Sequence, residues 1–423
     1  MKHYKKRIVL WLVSALMLTG CRVQPEPDTE ASGSNSEIEQ KTEEKTETTT
    51  EQQNAQEANG MVRMRVEHHY YDNPVDPGNG TSFSGEYDTL QVTDMKPESA
   101  IMQAVTAWAD GYEKRFMTQA AEYAQEASED TYSQENGTFY YLNNTIKTER
   151  VDSQVISLSL DNASYRGGVH GDYWTNGVTF DVVAGKQLAL ADLGDIQTEL
   201  KDYVWERLEP QSDEFFEDSE QAIEDLIQSG DICWYLTGQG IQIVFNPYEI
   251  APYGAGQQRV LVPYGELTGM KSDYIPDQNT EGIDCGTLAE DTVYEQDMDG
   301  DGNQDTLSIK VDCQDQDNMN AVTICYNTAE LTLTETLGMT SAYICKDKDK
   351  YYLLLTTYGH DEYYTTRLYE FPEGEPIEVF HLDGGCVQGC SQDGVWIEEE
   401  ADQQSTSRYY TLQDGTLKPI QVQ

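Results

Sequence analysis

The sequence predicts an α+β module, an antiparallel sheet with packed helices, followed by an all-β domain. Three observations carry this prediction. Strand-like and helix-like hydrophobic periods interleave between residues 61 and 275. At about Gly286 the helical period stops, and short alternating runs separated by turn residues continue to the C-terminus. The 28 Tyr against 9 Phe suit β-rich structure with many half-exposed aromatic positions.

The chain of 423 residues has room for two or three domains, and its formal net charge is −49. That acidity repels nucleic acid and anionic lipid surfaces, so no nucleic-acid partner is expected; it attracts cationic partners and Ca²⁺.

Residues 1–20 read as a signal peptide. Lys2, Lys5, Lys6 and Arg7 precede an apolar core, Ile8 to Leu18, that is too short to span a bilayer permanently. The core ends Leu18-Thr19-Gly20-Cys21. Small residues before a Cys resemble the lipobox of bacterial lipoproteins. By that resemblance Cys21 is lipidated, and the chain is anchored to the extracytoplasmic face of the cell membrane. An ordinary secretory signal with an incidental Cys is the competing reading. Residues 21–60 are rich in Glu, Thr, Gln, Ser and Asn, and too poor in apolar residues to fold; they read as a disordered acidic tether.

Within 61–275, Met61 to His68 reads as a first strand, Asp72 to Gly85 as a loop, and Tyr87 to Val92 as a second strand. A helix follows Pro97, with Ile101, Val105, Trp108, Tyr112, Phe116, Ala120 and Tyr123 on its core face. Phe139 to Arg150 and Val155 to Leu160 form a long antiparallel pair. In the stretch from Tyr165 to Leu193, Gly167-Gly168 supplies a turn and Val178, Phe180 and Val182 a half-buried strand; Asp192 is a candidate cap for the next helix. Helices are expected around Ile196–Leu208 and Phe215–Ile227. A hairpin through Gly238-Gln239-Gly240 and a closing strand Arg259–Val262 complete the module.

Two motifs in this module carry a resemblance. Gly167-Gly168-Val169-His170-Gly171, followed by Thr179 to Leu193, and the loop from Asn246 to Gly256 (NPYEIAPYGAG) with the strand after it, resemble an envelope domain. That domain is the extracellular part of lysozyme-sensing anti-sigma factors of the RsiV type, and it precedes the catalytic domain of PdaC-type peptidoglycan deacetylases. The resemblance covers roughly residues 61–275 and implies lysozyme or cell-wall glycan (peptidoglycan) as ligand. RsiV-type proteins signal through a transmembrane helix to a cytoplasmic sigma-binding segment. This sequence shows neither, so direct sigma-factor sequestration is not expected.

Residues 286–423 read as a separate all-β domain, with strands near 306–311, 321–326, 331–336, 342–346, 351–357, 366–371, 377–381, 395–398 and 408–412. Its sharpest motif is Asp297-Met298-Asp299-Gly300-Asp301-Gly302-Asn303-Gln304-Asp305. Carboxylates at alternate positions wrap oxygen ligands round one point, as hard Ca²⁺ requires. The ligand set expected is Asp297, Asp299, Asp301, Asn303 and Asp305. Because strand-like runs flank it, the loop resembles the calcium hairpins of FG-GAP-like β-domains rather than an EF-hand. Cys285, Cys313, Cys325, Cys345, Cys386 and Cys390 suggest up to three disulfides in an exported domain, with connectivity open; Cys386 and Cys390 could close locally. Cys233 reads as a buried thiol.

No catalytic constellation stands out, and the chain is not expected to be an enzyme. His68-His69 lack a metal-ligand partner at a convincing spacing, and His170 with Asp172 is the nearest approach to an acid–base pair. The function expected is non-catalytic binding or sensing at the cell envelope, with Tyr173 and Trp174 as candidate ligand-binding residues. The alternatives are an enzyme acting on cell-wall glycan through paired carboxylates, or a structural envelope lipoprotein.

Overall fold

The computed structural model describes residues 62–421, except 72–81, 94–95, 97–98, 132–136, 138, 278–280, 289–291, 315–318, 360–362, 373 and 402–403, and except the side chains at 312–320 and a few other positions. The expected signal, Cys21 and tether lie outside the described residues, as does the side chain of Cys313.

The first half is built on a six-stranded sheet in the order β1-β2-β3-β4-β5-β6. These strands are Arg63–Tyr70, Ser82–Thr93, Phe139–Val151, Val155–Tyr165, Asp172–Asp181 and Lys186–Gln187. Between β2 and β3 runs helix α1, Ala100–Glu129, started by Ser99, whose Oγ accepts from Met102 N at 3.3 Å. The helix is a crossover, so β2 and β3 pair in parallel while their neighbours pair antiparallel. An all-antiparallel sheet was expected; the return path over α1 overrides it at this pair. The buried stripe of α1, including Ile101, Val105, Tyr112 and Phe116, follows the expected spacing. Strand β2 starts earlier than expected and takes in Gly85, where a Cβ would lie 2.9 Å from Tyr71 Cβ and 3.2 Å from the Phe116 ring. Glycine lets the helix close on the sheet there.

A second layer follows. A 3-10 turn, Leu190–Leu193, leads to α2 (Gln197–Leu208), α3 (Ser219–Ser229) and a three-stranded sheet of β7 (Cys233–Leu236), β8 (Gly240–Phe245) and β9 (Gln258–Pro263). Asp192 caps the 3-10 turn rather than α2, accepting from Ala189 N at 2.9 Å. Leu200, Val204, Ile223, Ile241, Phe245 and Val262 form this layer's own core. The layer docks on the polar face of the first sheet. Leu236 N, on edge strand β7, donates to Ser157 Oγ at 2.8 Å, and a Cβ on Gly177 would fall 1.8 Å from the Trp234 carbonyl. Hydroxyls and a glycine stand where apolar residues would leave the edge amides unpaired.

The second half is all β. An eight-stranded sheet runs in the order β11-β12-β13-β14-β15-β16-β17, with β10 added against β14. Strands β10 to β13 are Gly282–Asp284, Tyr294–Gln296, Asp305–Gln314 and Met319–Tyr326. Strands β14 to β17 are Ala329–Asp347, Lys350–Gly359, Tyr364–Glu370 and Ile377–Asp383. A four-stranded meander follows: β18 (Gly385–Ser391), β19 (Gly394–Ala401), β20 (Gln404–Gln413) and β21 (Thr416–Ile420). Two runs expected as separate strands are one 19-residue strand, β14, which bends at register shifts near Gly338 and Thr340. Strand β18 was not expected, and it rules out a local Cys386–Cys390 bridge. Four residues along a strand span about 13 Å, beyond the roughly 7 Å that a disulfide tolerates between Cα atoms.

The halves share a core: Val62, Met64, Leu158 and Phe180 belong to one buried cluster with Tyr343, Cys345, Leu354, Cys390 and Ile397. Met64 N donates to Ser391 Oγ at 3.2 Å, and Cys390 N to Thr148 Oγ1 at 3.0 Å. Among the described residues no helix is long and apolar enough to cross a membrane.

Candidate functional site

The two glycine-bearing loops singled out in the sequence meet in space. One joins β4 to β5, where Gly167 and Gly168 take φ of 76° and 111°. The other joins β8 to β9. Tyr253, from the second loop, donates its hydroxyl to the Gly171 carbonyl of the first at 3.0 Å. Its ring centroid lies 4.8 Å from His170, 5.2 Å from Tyr173 and 6.1 Å from Tyr248. Val169 is 78% exposed and Tyr248 42%, so the junction presents an apolar and aromatic surface.

A polar network holds the loops together from beneath. Thr175 N donates to Asn246 Oδ1 at 2.7 Å, and Asn246 Nδ2 returns a bond to the Thr175 carbonyl at 3.1 Å. Gln257 Nε2 donates to Thr175 Oγ1 and Asn246 Oδ1 at 3.0 and 2.9 Å. Thr175 Oγ1 donates to Asp161 Oδ1 at 2.7 Å, and Lys147 holds the other carboxylate oxygen at 2.8 Å. Burial alone would raise the Asp161 pKa; the lysine and the threonine overcome it and hold the group below its ordinary value. The second loop is thus pinned to rigid strands. Within it Tyr248 adopts φ of 71°, a left-handed conformation that costs a residue with a Cβ about 1 kcal/mol.

His170 is 7% exposed. Its Nδ1 lies 3.0 Å from the Gly171 carbonyl, which can only accept, so Nδ1 carries the proton. Nε2 is then a lone-pair acceptor, and it is buried without a partner among the described residues. Burial lowers the imidazole pKa against the opposing pull of Asp172, which favours the neutral ring. The ring bonds the Gly171 carbonyl rather than Asp172, so the suspected acid–base pair is not assembled.

Of the two residues expected to bind ligand, Tyr173 belongs to this cluster and Trp174 does not. Successive side chains leave a strand on opposite faces, so Trp174 departs β5 on the face opposite Tyr173. Tyr248 and Tyr253 were not singled out; the signal that could have found them is the glycine-rich, tyrosine-bearing ends of both motifs.

The acidic motif is a hairpin loop between β11 and β12, paired through Gln296 and Asp305. Gly300 and Gly302 turn it with φ of 81° and 88°. Carboxylate oxygens of Asp297, Asp299 and Asp305 lie within 4.8 Å of one another. Asp301 is turned to Asn303, accepting from its backbone N at 2.7 Å and its Nδ2 at 2.9 Å. Three of the five expected ligands therefore converge, which fits a small oxygen-seeking cation.

Two carboxyls elsewhere among the described residues are pushed upward by their surroundings. Glu149 faces inward from β3, accepts from Ser159 Oγ at 2.6 Å and is pushed up to about 6 by burial. Asp284 is likewise pushed up to about 6 by burial. It lines a cleft of about 130 Å³ between the two halves, with Arg150, Tyr294, Lys346 and Tyr351.

A family model described as "Protein of unknown function (DUF3298)" matches residues 190–265, from the 3-10 turn through β9 and including the Asn246–Gly256 loop. A solved structure of a DUF3298 family member from Bacteroides fragilis is similar at 17% identity, covering 51% of this chain and 96% of that one, with a TM-score of 0.38. A DUF3298 family protein from Pseudomonas aeruginosa is similar at 17% identity, covering 52% of this chain and 98% of that one, with a TM-score of 0.31. No curated protein matches.

Proposed function

Taking the DUF3298 domain at residues 190–265 as the premise, we propose that this chain is a lipid-anchored cell-surface protein that binds or senses a ligand at the cell envelope without catalysing its conversion. Its recognition surface is the junction of the Gly167–Gly171 turn and the Asn246–Gly256 loop. One observation carries the reading. Both loops are pinned beneath by part-buried hydrogen bonds, yet their outer surface carries exposed Val169 and a backbone-strained Tyr248, above a histidine acceptor buried without a partner among the described residues. Strain and an unpaired buried acceptor persist where a function repays them. Exposed aromatic faces suit a sugar, and the acidic chain suits cationic lysozyme; both are candidate ligands. The Asp297–Asp305 loop holds a structural Ca²⁺.

The test is calorimetric titration of the full chain with lysozyme, with a cationic control protein and with soluble peptidoglycan fragments, at physiological ionic strength. Tyr248→Ala and Val169→Asp are measured alongside. Binding to lysozyme or glycan that weakens at least tenfold in both variants supports the reading. Equal response to lysozyme and the control, with no glycan binding, overturns it.

A second reading, a hydrolase acting on cell-wall glycan, draws on Glu149 and Asp161, two carboxyls whose environments move their pKa values apart. Glycan hydrolysis lost in both Glu149→Gln and Asp161→Asn would favour it over pure binding.

A further inference from the structure

Three thiols from distant parts of the sequence gather where the two halves join. Cys285, Cys345 and Cys390 are 2%, 0% and 0% exposed and belong to the shared core. They come from the segment after β10, from β14 and from β18. All three are free thiols in this structure.

Their placement is not equivalent. Ile283 N donates to the Gln392 carbonyl at 2.8 Å, which lays the β10 segment alongside the end of β18. Two residues onward along the first segment is Cys285, and two residues back along the second is Cys390. An antiparallel course of the two segments sets the cysteines opposite each other; each thiol donates to a backbone carbonyl of its own segment, Cys285 to Ile283 at 3.9 Å and Cys390 to Ser391 at 3.8 Å, and the two lie near enough to shift each other's ionisation. Residues directly opposite in such a pair have Cβ atoms about 4.5–5.5 Å apart, close to the roughly 3.5–4.5 Å of a disulfide. Cys345 is differently related. It pairs with Ile283 across β10 and β14, so it is diagonal to Cys285, at a typical separation of about 7–8 Å.

We propose that Cys285 and Cys390 form a disulfide that joins the two halves of the chain, and that Cys345 beside them stays reduced. The bridge would lock the junction at its centre. Next to it Gln392 N donates to the Val151 carbonyl at 2.7 Å, and Gly389 packs so closely on β1 that a Cβ would lie 2.3 Å from the Met64 carbonyl. The reaction is an exchange: a Cys285 or Cys390 thiolate attacks an external disulfide R–S–S–R, one R–SH leaves, and the second cysteine displaces the other. Two protein thiols are oxidised, one disulfide is reduced to two thiols, and the two protein protons end on them. Burial raises both thiol pKa values in the folded chain, so the bridge closes before the core does. The proposal rests on the reading of an exported chain, because the cytosol keeps such thiols reduced.

The test is peptide mapping by mass spectrometry, without reduction, on two samples. One is the full chain refolded from denaturant in a glutathione redox buffer. The other is the full chain made with its own leader in an exporting bacterial host. A dominant Cys285–Cys390 cross-linked peptide in the refolded sample supports the pairing whatever the cellular address. Free Cys285 and Cys390 in that sample, or either one joined to Cys345, overturns it. Bridged refolded chain together with free thiols in the cell-made sample sustains the pairing and overturns the exported address instead. Cys285→Ser and Cys390→Ser should each lower the Tm of the oxidised chain by about 5 °C or more. The double variant should lower it no further, and a reductant should bring wild type to the same value. Additive losses, with no effect of reductant, would overturn the bridge.

Discussion

Arg63, at the start of the first strand, holds Asp393, in the turn after β18, through Nε at 2.9 Å and Nη2 at 2.6 Å. The same carboxylate accepts from the Tyr409 hydroxyl at 2.6 Å, and the guanidinium lies 4.6 Å from the Tyr409 ring centroid. A charge-assisted fork between sequence-distant residues, largely out of water, is worth more than a surface ion pair. Asp393→Ala leaves a partly buried arginine and a tyrosine hydroxyl without this partner. It should cost about 2 kcal/mol in urea unfolding of the full chain. A change below about 0.5 kcal/mol would mean that the shared core alone holds the halves together.

Tyr248→Gly should weaken recognition as Tyr248→Ala does, while costing the fold less than the alanine variant. Glycine removes the left-handed strain at φ of 71°, a gain of about 1 kcal/mol, offset in part by greater freedom of the unfolded chain. Tyr248 is 42% exposed, and glycine and alanine give up the same partly buried ring, so comparing them isolates the backbone strain. Both variants should bind more weakly by calorimetry, and the glycine variant should unfold at the higher temperature. Lower stability with unchanged binding would make Tyr248 a packing residue.

Calcium should raise the Tm of the full chain, and Asp297→Asn should remove most of the increase. Asp297 offers both carboxylate oxygens to backbone amides of the loop, Gly300 N at 2.9 Å and Gly302 N at 3.0 Å, and lies beside Asp299 and Asp305. A ligand at a hundred times its Kd stabilises by about 2.7 kcal/mol. Scanning calorimetry in chelator and then in calcium up to about 10 mM covers the range of extracellular modules. An unmoved Tm across that range would leave the loop a solvated acidic turn.

His68 should support the fold at mildly acidic pH and lose that role in base. Burial would lower its pKa, but Asp88 at 2.8 Å and Glu86 at 3.7 Å override it and raise the value from 6.5 to about 9. Because the folded value lies above the unfolded one, the contribution is complete below 6.5 and fades as pH rises through about 9. His68→Gln should therefore lower stability at pH 6 and make no difference above pH 9. A pH-independent penalty would refute the charged pair, as would an NMR titration of the ring with its midpoint near 6.5.

Glu149→Gln should act in the opposite direction. The Glu149 pKa is raised from 4.5 to about 6, so the folded state takes up a proton there and wild type loses stability as pH rises across that window. Glutamine keeps an acceptor for Ser159 Oγ without a charge to bury. The variant should gain on wild type by up to about 2 kcal/mol between pH 4 and pH 7. An unchanged difference over that range would show Glu149 to be charged throughout.

Local signals in the chain were easy to read. The stripe from Ile101 to Tyr123 is a buried helix face, the runs around Val178 and Ile241 are strands, and Gly300 and Gly302 turn a hairpin as their spacing required. The partners of His68 escaped because Asp88 is twenty residues away on the neighbouring strand, opposite His68 only in the β1–β2 register. Tyr173 and Trp174 share their chemistry but not their face of β5, a distinction that only the strand's alternation makes. Strand β18 was missed because the run from Gly385 to Ser391 has one apolar residue, Val387, between its cysteines, followed by Gln388 and Gly389, and no clear alternation.

By itself the sequence determined what is encoded within a turn or a single element: two helical periods in the second layer, the long helix before them, the switch to strands near Gly286, and an acidic loop whose carboxylates are close along the chain. Tertiary structure alone decided which loops meet. Tyr253 reaches Gly171, Ile283 meets Gln392 and Arg63 finds Asp393 through the stacking of sheets formed by segments tens to hundreds of residues apart. Such contacts depend on how layers stack and which backbone edges need partners, and neither is written in the periodicity of any one segment.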